Sequence, residues 1–117
     1  MATGSVTIYH NPRCSKSRKT LALLEEHGIE PTVVEYLKNP PDKQELGTIT
    51  RKLGMKPEQI VRRGEASFKE HFAGKSLNDD EWLDALAEYP ILIERPIVVK
   101  GDRAVIGRPP ENVLDLV

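Results

Sequence analysis

Apolar side chains near the start of the chain follow first a strand-like and then a helical pattern. The run Val6–Tyr9 is rich in β-forming residues and is stopped by Pro12, so it predicts a strand. Residues 21–24 then form a helical apolar stripe, and Gly28 is typical of the residue that ends such a helix. The run TVVEY at 32–36 predicts a second strand. A strand, a helix and a strand within about 30 residues favour a βαβ unit with parallel strands.

The middle of the chain predicts a series of short helices. Two segments begin with an Asp or Asn three residues before a Glu and continue with apolar residues at helical spacing: Asp42 with Glu45, and Asn78 with Glu81. The first ends at Gly54, and the second should stop before Pro90. Between them, 57–64 and 66–74 each predict a short helical segment. These helices interrupt the strand-rich ends of the chain over residues 42–88.

The end of the chain returns to strand-like residues. Residues 97–99 and 103–106 flank the turn KGD and predict a β-hairpin, which Gly107 ends, and PPENVLDLV then predicts a final helix. The order predicts an α/β fold, a mixed four-stranded sheet with flanking helices and a helical insertion at about 42–88. By analogy of element order, this sheet is thioredoxin-like. The 117 residues have the length of one domain, so residues 1–117 are expected to form a single domain.

Composition narrows the classes of function. The chain carries 17 Lys and Arg against 18 Asp and Glu, which gives no general basic surface for nucleic acid. No run approaches the ~20 apolar residues of a membrane span, and the N-terminus lacks the pattern of a signal peptide. One cysteine excludes an intramolecular disulfide, so it favours either a reducing compartment or pairing of the thiol with another molecule; we expect a cytoplasmic protein. The three histidines, His10, His27 and His71, have no ligand-spaced partners, and no metal site is predicted.

The only cysteine, Cys14, lies in the segment HNPRCSKSRKT, where the predicted strand gives way to the predicted helix. The helix should begin close to Cys14 or Ser15, and a helix N-terminus stabilises a thiolate. Four cations surround the thiol: Arg13, Lys16, Arg18 and Lys19. The hydroxyls of Ser15 and Ser17 can donate hydrogen bonds to the sulfur or to an anion beside it. A lone cysteine is more often a buried small apolar residue, but the polar neighbours here favour a reactive thiol.

His10 lies four residues before the cysteine, and its role is left open by the sequence. The ring can supply a proton or a hydrogen bond to the site, and it is equally typical of a structural hydrogen-bonding residue.

Arginines elsewhere in the chain are candidates for holding an oxyanion beside the thiol. Their planar guanidinium groups suit two-point contact with an oxyanion, although each arginine alone is more typical of a solvated surface. Arg95 and Arg108 are unusual because each precedes a proline at the end of a predicted hairpin strand, which can bring both to one end of the sheet. The pair Arg62 and Arg63 offers a further candidate.

Three segments, HNPRCSKSRKT, ILIERPIVV and IGRPPENVLDLV, together resemble the ArsC family of glutaredoxin-coupled arsenate reductases. The resemblance covers almost the whole chain and holds in order and spacing. It implies a thioredoxin-like fold with a helical insertion, with Cys14 as the catalytic residue. It also implies three oxyanion-binding arginines, Arg62, Arg95 and Arg108, with Arg63 as the alternative to Arg62. By the same resemblance, His10 tunes the cysteine and Pro96 is the cis-proline beside it.

The resemblance further implies reduction of arsenate to arsenite through an adduct between arsenic and the Cys14 sulfur. Glutathione would be the co-substrate and glutaredoxin the partner, with no tightly bound cofactor, no nucleic acid and no membrane. The cysteine count independently supports the need for an external thiol, because a chain with one cysteine has no internal thiol to resolve an intermediate. Two alternatives stay open. One is a glutathione-linked thiol-disulfide reductase with another oxidised substrate. The other is a non-catalytic regulator, although Ser-Lys-Ser after Cys14 lacks the second cysteine of a Cys-x-x-Cys switch.

Overall fold

The computed structural model describes residues 5–117, and the first four residues of the predicted domain lie outside this range. The described chain falls into two compact units. The first joins the N-terminal part, up to Asn39, with Arg95–Val117, and the second is Pro40–Glu94. The second unit includes residues 42–88, for which the sequence predicts a helical insertion. The expectation that all 117 residues act as one domain stays a prediction.

The first unit is built on a four-stranded sheet. Its strands are β1 (Val6–His10), β2 (Thr32–Glu35), β3 (Ile97–Lys100) and β4 (Arg103–Ile106), in the order β2-β1-β3-β4. Strand β1 pairs in parallel with β2 and antiparallel with β3, and β3 pairs antiparallel with β4. The predicted α/β fold with a mixed four-stranded sheet is thus confirmed.

Helix α1 (Ser15–Glu26) connects the two parallel strands and covers the sheet. Its buried face carries Leu24, which packs with Ile8 of β1 and Val98 of β3 in one apolar cluster. A one-residue shift of a strand would turn these side chains to the other face, so burial fixes the register. The cluster therefore holds α1 against β1 and β3.

The last helical segment, Pro110–Asp115, is a 3₁₀ helix. Two adjacent prolines lack N–H groups, and a segment this short is typical of the i→i+3 bonding of a 3₁₀ helix. Asn112 shows that bonding: its N–H donates to Pro109 O at 3.0 Å, and its side-chain amide donates to Arg108 O at 3.2 Å. Val113 is fully buried in the apolar cluster, which ties the chain end to the sheet.

The second unit contains the short helices. They are α2 (Lys43–Leu53), α3 (Ala66–His71) and α4 (Asp79–Glu88), with 3₁₀ turns at Pro57–Ile60 and Pro90–Leu92. Both predicted N-caps are confirmed, because the side chains of Asp42 and Asn78 accept the N–H groups of Glu45 and Glu81 at 2.8 Å. No helix within residues 5–117 is long and apolar enough to cross a membrane.

Candidate active site

Cys14 is the N-cap residue of α1, immediately after the loop that leaves β1. Its backbone N–H donates to Asn11 O at 3.0 Å, which closes a tight turn, and its carbonyl accepts Arg18 N–H as the first bond of the helix. The thiol is partly exposed and not in a disulfide. The sequence predicted the helix to begin at this residue or the next, and the structure confirms it. The sulfur therefore lies at the positive end of the helix dipole.

The pKa of the Cys14 thiol is lowered, although burial by itself would raise it. The opposing causes are the backbone N–H of Ser17, the guanidinium of Arg95 and the backbone N–H of Lys16, each of which favours the thiolate. The Cys14 side chain makes no cap hydrogen bond of standard geometry, so these groups act on the sulfur by electrostatic attraction. A thiol of this kind is a nucleophile at lower pH than an ordinary cysteine.

His10 lies at the end of β1 and is buried, with its Nδ1 atom 2.6 Å from the Ser17 hydroxyl. Burial lowers the pKa of the His10 ring and Arg18 lowers it further, whereas Glu35 opposes them. The ring is therefore neutral at pH 7 and adds no positive charge beside the thiol. A proton-donating His10, one of the two roles left open above, would require a charged ring.

The two serines that follow the cysteine lie in different surroundings. Ser17 is fully buried, and its hydroxyl is bonded to His10 and to the backbone N–H of Asn11, so it is not the donor to sulfur that the sequence suggested. Its backbone N–H faces the sulfur in its place. Ser15 is exposed in the first turn of α1, and its hydroxyl has no partner within residues 5–117.

Arg95 and Arg108 lie at the same end of the hairpin, one before β3 and the other after β4. Arg108 Nη1 donates to the backbone carbonyl of Arg95 at 3.3 Å, so the structure brings the two residues together as their placement predicted. The Arg95-Pro96 bond is cis, as the resemblance implied, and Arg108-Pro109 is cis as well. Of the two side chains, Arg95 interacts with the Cys14 sulfur.

Gly107 joins β4 to Arg108 and packs closely against α1. Its N–H donates to Pro96 O at 2.9 Å, and its carbonyl lies 3.4 Å from Thr20 Oγ1, which donates to Lys16 O at 2.8 Å. A Cβ atom at Gly107 would lie 2.6 Å from Thr20 Oγ1 and 3.0 Å from Pro96 Cγ. This contact holds the arginine end of the hairpin against the helix that carries Cys14. The sequence showed Gly107 only as a strand breaker.

Arg62 belongs to the second unit, where two carboxylates hold its guanidinium. Its Nε lies 3.2 Å from Glu65 Oε2, and its Nη1 lies 3.1 Å from Glu94 Oε1. Arg63 is more exposed: it pairs with Glu58 at 3.4 Å and lies over the Phe68 ring at 5.2 Å. The carboxylates orient the Arg62 guanidinium, whereas the Arg63 guanidinium covers the buried rings of Phe68 and Trp82. The structure thus distinguishes the two arginines, and the role of Arg62 as an oxyanion ligand stays a prediction.

Within residues 5–117, no group of three or more His, Cys, Asp or Glu side chains is arranged to hold a metal ion. The chemistry available near Cys14 is that of a stabilised thiolate, an arginine and backbone N–H donors. Such a site can attack an electrophilic centre and bind an anion.

The fold and this site together define an α/β protein with a mixed four-stranded sheet and a thiol of lowered pKa at the start of its first helix. Comparison with known proteins agrees with that class. The model of the ArsC family matches residues 9–116. A protein of Rhizobium meliloti named arsenate reductase is 50% identical, and the alignment covers 96% of this chain and 81% of the relative. An uncharacterised Escherichia coli protein is 49% identical, with 98% of both chains covered.

A solved structure extends the comparison to three dimensions. An arsenate reductase from Vibrio cholerae superimposes with a TM-score of 0.93 at 50% sequence identity, covering 97% of this chain and 98% of its own. The chain belongs to the ArsC family. The relatives from Rhizobium meliloti and Vibrio cholerae are both named arsenate reductases, and the structural likeness to the latter covers nearly the whole chain.

Proposed function

We propose that this protein is an arsenate reductase that uses Cys14 as its nucleophile, glutathione as co-substrate and glutaredoxin as electron donor. The observation that carries the proposal is the Cys14 thiol with a lowered pKa, stabilised by Ser17 N–H and by Arg95. A thiolate beside a guanidinium suits attack on a tetrahedral oxyanion, which an unpaired thiolate would repel. Membership of the family and the names of its similar members support the same substrate. The use of glutathione implies a reducing compartment, the cytoplasm.

In the first step, the Cys14 thiolate attacks the arsenic atom of arsenate. A sulfur–arsenic bond forms, an arsenic–oxygen bond breaks, and the leaving hydroxide takes up a proton to become water. Arg95 and Arg108 are the ligands proposed for the remaining oxygens of arsenate, because both lie at the same end of the hairpin. Arg62 is proposed as a third ligand on the resemblance, with Glu65 and Glu94 orienting its guanidinium.

In the second step, a glutathione thiolate attacks the Cys14 sulfur of the arsenic adduct. A sulfur–sulfur bond forms while the sulfur–arsenic bond breaks and leaves its electron pair on arsenic, so As(V) becomes As(III), takes up a proton and departs as arsenite. A glutaredoxin thiolate attacks the glutathione sulfur of that disulfide and returns Cys14 as a thiolate. An external donor is needed because Cys14 is the only cysteine of the chain.

The main alternative is a thiol-disulfide reductase that acts on a glutathionylated protein. Reduction of a mixed disulfide requires the activated thiol but no oxyanion ligands. The approach of Arg108 to Arg95 at 3.3 Å favours arsenate or a similar oxyanion over this alternative. A regulatory role through a Cys-x-x-Cys switch is disfavoured by Ser17 at the second cysteine position.

The test is arsenite formation from arsenate in the presence of glutathione and glutaredoxin. We expect turnover by the unaltered protein and none by Cys14→Ser. Arg95→Ala should lower kcat/KM for arsenate roughly tenfold or more, or about 1.4 kcal/mol. Arg51→Ala, which removes an exposed arginine of α2, serves as the matched control and should keep full activity. Absence of thiol-dependent turnover in the unaltered protein, with reduction of a glutathionylated peptide, would support the alternative.

A further inference from the structure

The hydroxyl of Ser17 is buried and therefore needs a hydrogen-bond partner. It occupies the third residue of α1 and is 0% exposed, whereas the flanking Arg18 is exposed. A hydroxyl removed from water without a hydrogen bond costs free energy, so such a group is normally bonded. Serine is also a modest helix former in this position. A buried serine in the first turn next to a reactive thiol therefore calls for a specific role.

The hydroxyl of Ser17 ties the strand end to the first turn of the helix. Its oxygen accepts the backbone N–H of Asn11 at 3.0 Å and lies 2.6 Å from Nδ1 of His10. Asn11 is itself buried, and its side-chain Oδ1 accepts the N–H of Arg13 at 3.0 Å. Its backbone carbonyl accepts the N–H of Cys14. The loop before the cysteine is thus held at successive points, and the Ser17 hydroxyl joins that loop to the helix.

The direction of the bond to His10 follows from the donors available. Asn11 N–H already donates to Ser17 Oγ, so the hydroxyl proton needs an acceptor of its own. Within residues 5–117, the only acceptor that the hydroxyl reaches is Nδ1 of His10. A neutral imidazole that accepts at Nδ1 carries its proton at Nε2. The charged groups that act on the ring are Glu35 of β2, which raises its pKa, and Arg18 of α1, which lowers it; burial is the largest cause and keeps the ring neutral.

We propose that Ser17 is a positioning residue for the Cys14 thiolate: its hydroxyl fixes His10 in the Nε2–H form and anchors the loop, which holds its own backbone N–H on the sulfur. The side-chain hydroxyl and the backbone N–H of Ser17 act together. Burial raises the pKa of Cys14, and the Ser17 N–H and the Arg95 guanidinium are the leading groups that lower it. The direction of that N–H depends on the first turn of α1, which the hydroxyl fastens to β1. The inference rests on the proposed function only in taking Cys14 as the reacting thiol.

The first test follows the rate of iodoacetamide alkylation of Cys14 against pH, which needs no arsenate. In Ser17→Ala we expect the rate at pH 6 to fall by roughly fivefold and the rate at about pH 10 to stay unchanged, because only the thiolate fraction at low pH is lost. Ser76→Ala removes an exposed hydroxyl of the second unit and should leave the profile in place. Ser17→Thr keeps the hydroxyl and should retain most of the native profile. An unchanged profile in Ser17→Ala overturns the proposal.

The second test is made on the unaltered protein by proton–nitrogen correlation NMR of the histidine rings. His10 should be neutral at pH 7 and protonated at Nε2, with the exposed His27 and His71 as internal comparisons. A proton at Nδ1 of His10 overturns the proposal. If Ser17→Ala does not fold, His10→Leu removes the acceptor and leaves Ser17 in place. The same shift of the alkylation profile is then expected, and its absence counts against the proposal. Failure of arsenate turnover alone would remove the proposed substrate and leave these results standing.

Discussion

Replacement of Gly107 by alanine is expected to destabilise the protein by a purely steric effect. Gly107 does not have a positive φ, so its backbone conformation is open to alanine. The new Cβ would lie 2.6 Å from Thr20 Oγ1, 3.0 Å from Thr20 Cγ2 and 3.0 Å from Pro96 Cγ. Thr20 is fully buried and Pro96 is buried, so neither side chain can move aside into solvent.

The magnitude follows from two opposing effects. Overpacking of a buried contact typically costs about 1–3 kcal/mol. The loss of chain entropy in the unfolded state, which favours alanine over glycine, returns about 0.4–1 kcal/mol. A net loss of about 1–2 kcal/mol should lower Tm by roughly 4–8 °C for a chain of this size. Because Arg108 follows directly, KM for arsenate should rise as well.

The assay is a double-mutant cycle measured by thermal and urea unfolding. Thr20→Ala removes both atoms of Thr20 that the new methyl group would meet, so Thr20→Ala with Gly107→Ala should be more stable than the sum of the single changes predicts. Gly64→Ala is the matched control, because a Cβ at Gly64 meets no atom within 4 Å. If Gly107→Ala unfolds at the same temperature as Gly64→Ala, or if Thr20→Ala gives no relief, the packing argument is refuted.

Three further predictions concern the thiol, the helix caps and the second unit. Because the pKa of Cys14 is lowered in the folded state, its stabilising effect is present above about pH 8.5, the unfolded value, and is lost as pH falls through the folded pKa. The difference in unfolding free energy between the native protein and Cys14→Ala should therefore grow from pH 6 to pH 9, and a flat difference would contradict the lowered pKa. Asn78→Ala removes the side-chain cap that accepts Glu81 N–H and should cost about 1 kcal/mol in urea unfolding, whereas an unchanged midpoint would show that solvent replaces the cap. Arg62→Ala should raise KM for arsenate and Arg63→Ala should not, and the reverse result in steady-state kinetics would reassign the third arginine.

The strands and the first helix were predictable because local patterns and tertiary packing agree. Val6–His10 and Ile97–Lys100 are short apolar runs bounded by breakers, and the sheet buries them side by side. The approach of Arg108 to Arg95 was also predictable, because a hairpin brings the start of one strand beside the end of the other. In these cases the sequence pattern that predicts the element or contact lies within a few residues of it.

Other parts of the site were not predictable because they depend on which face of an element is buried. Ser15 and Ser17 look alike in the sequence, yet only Ser17 faces the sheet and bonds to His10. The close approach of Gly107 to Thr20 joins residues far apart in the chain. The pairing of Arg62 with Glu94 is likewise a long-range contact. The residues that neighbour Gly107 and Ser17 in the sequence do not indicate the contacts of Gly107 with Thr20 or of Ser17 with His10.

The discontinuous first unit has a consequence for the order in which the protein acquires its chemistry during synthesis. Cys14 leaves the ribosome early, but β3 and the Arg95 guanidinium follow only after the whole of Pro40–Glu94. Strand β1 pairs with β3, so the sheet stays incomplete while the inserted unit, which is continuous in the chain, is already available to fold. The nascent thiol should thus behave as an ordinary cysteine until the last strands arrive. The rate of alkylation of Cys14 in ribosome-bound chains stalled before and after Arg95 would show when the thiol becomes reactive. A late change would mean that an incompletely synthesised chain does not carry a reactive sulfur.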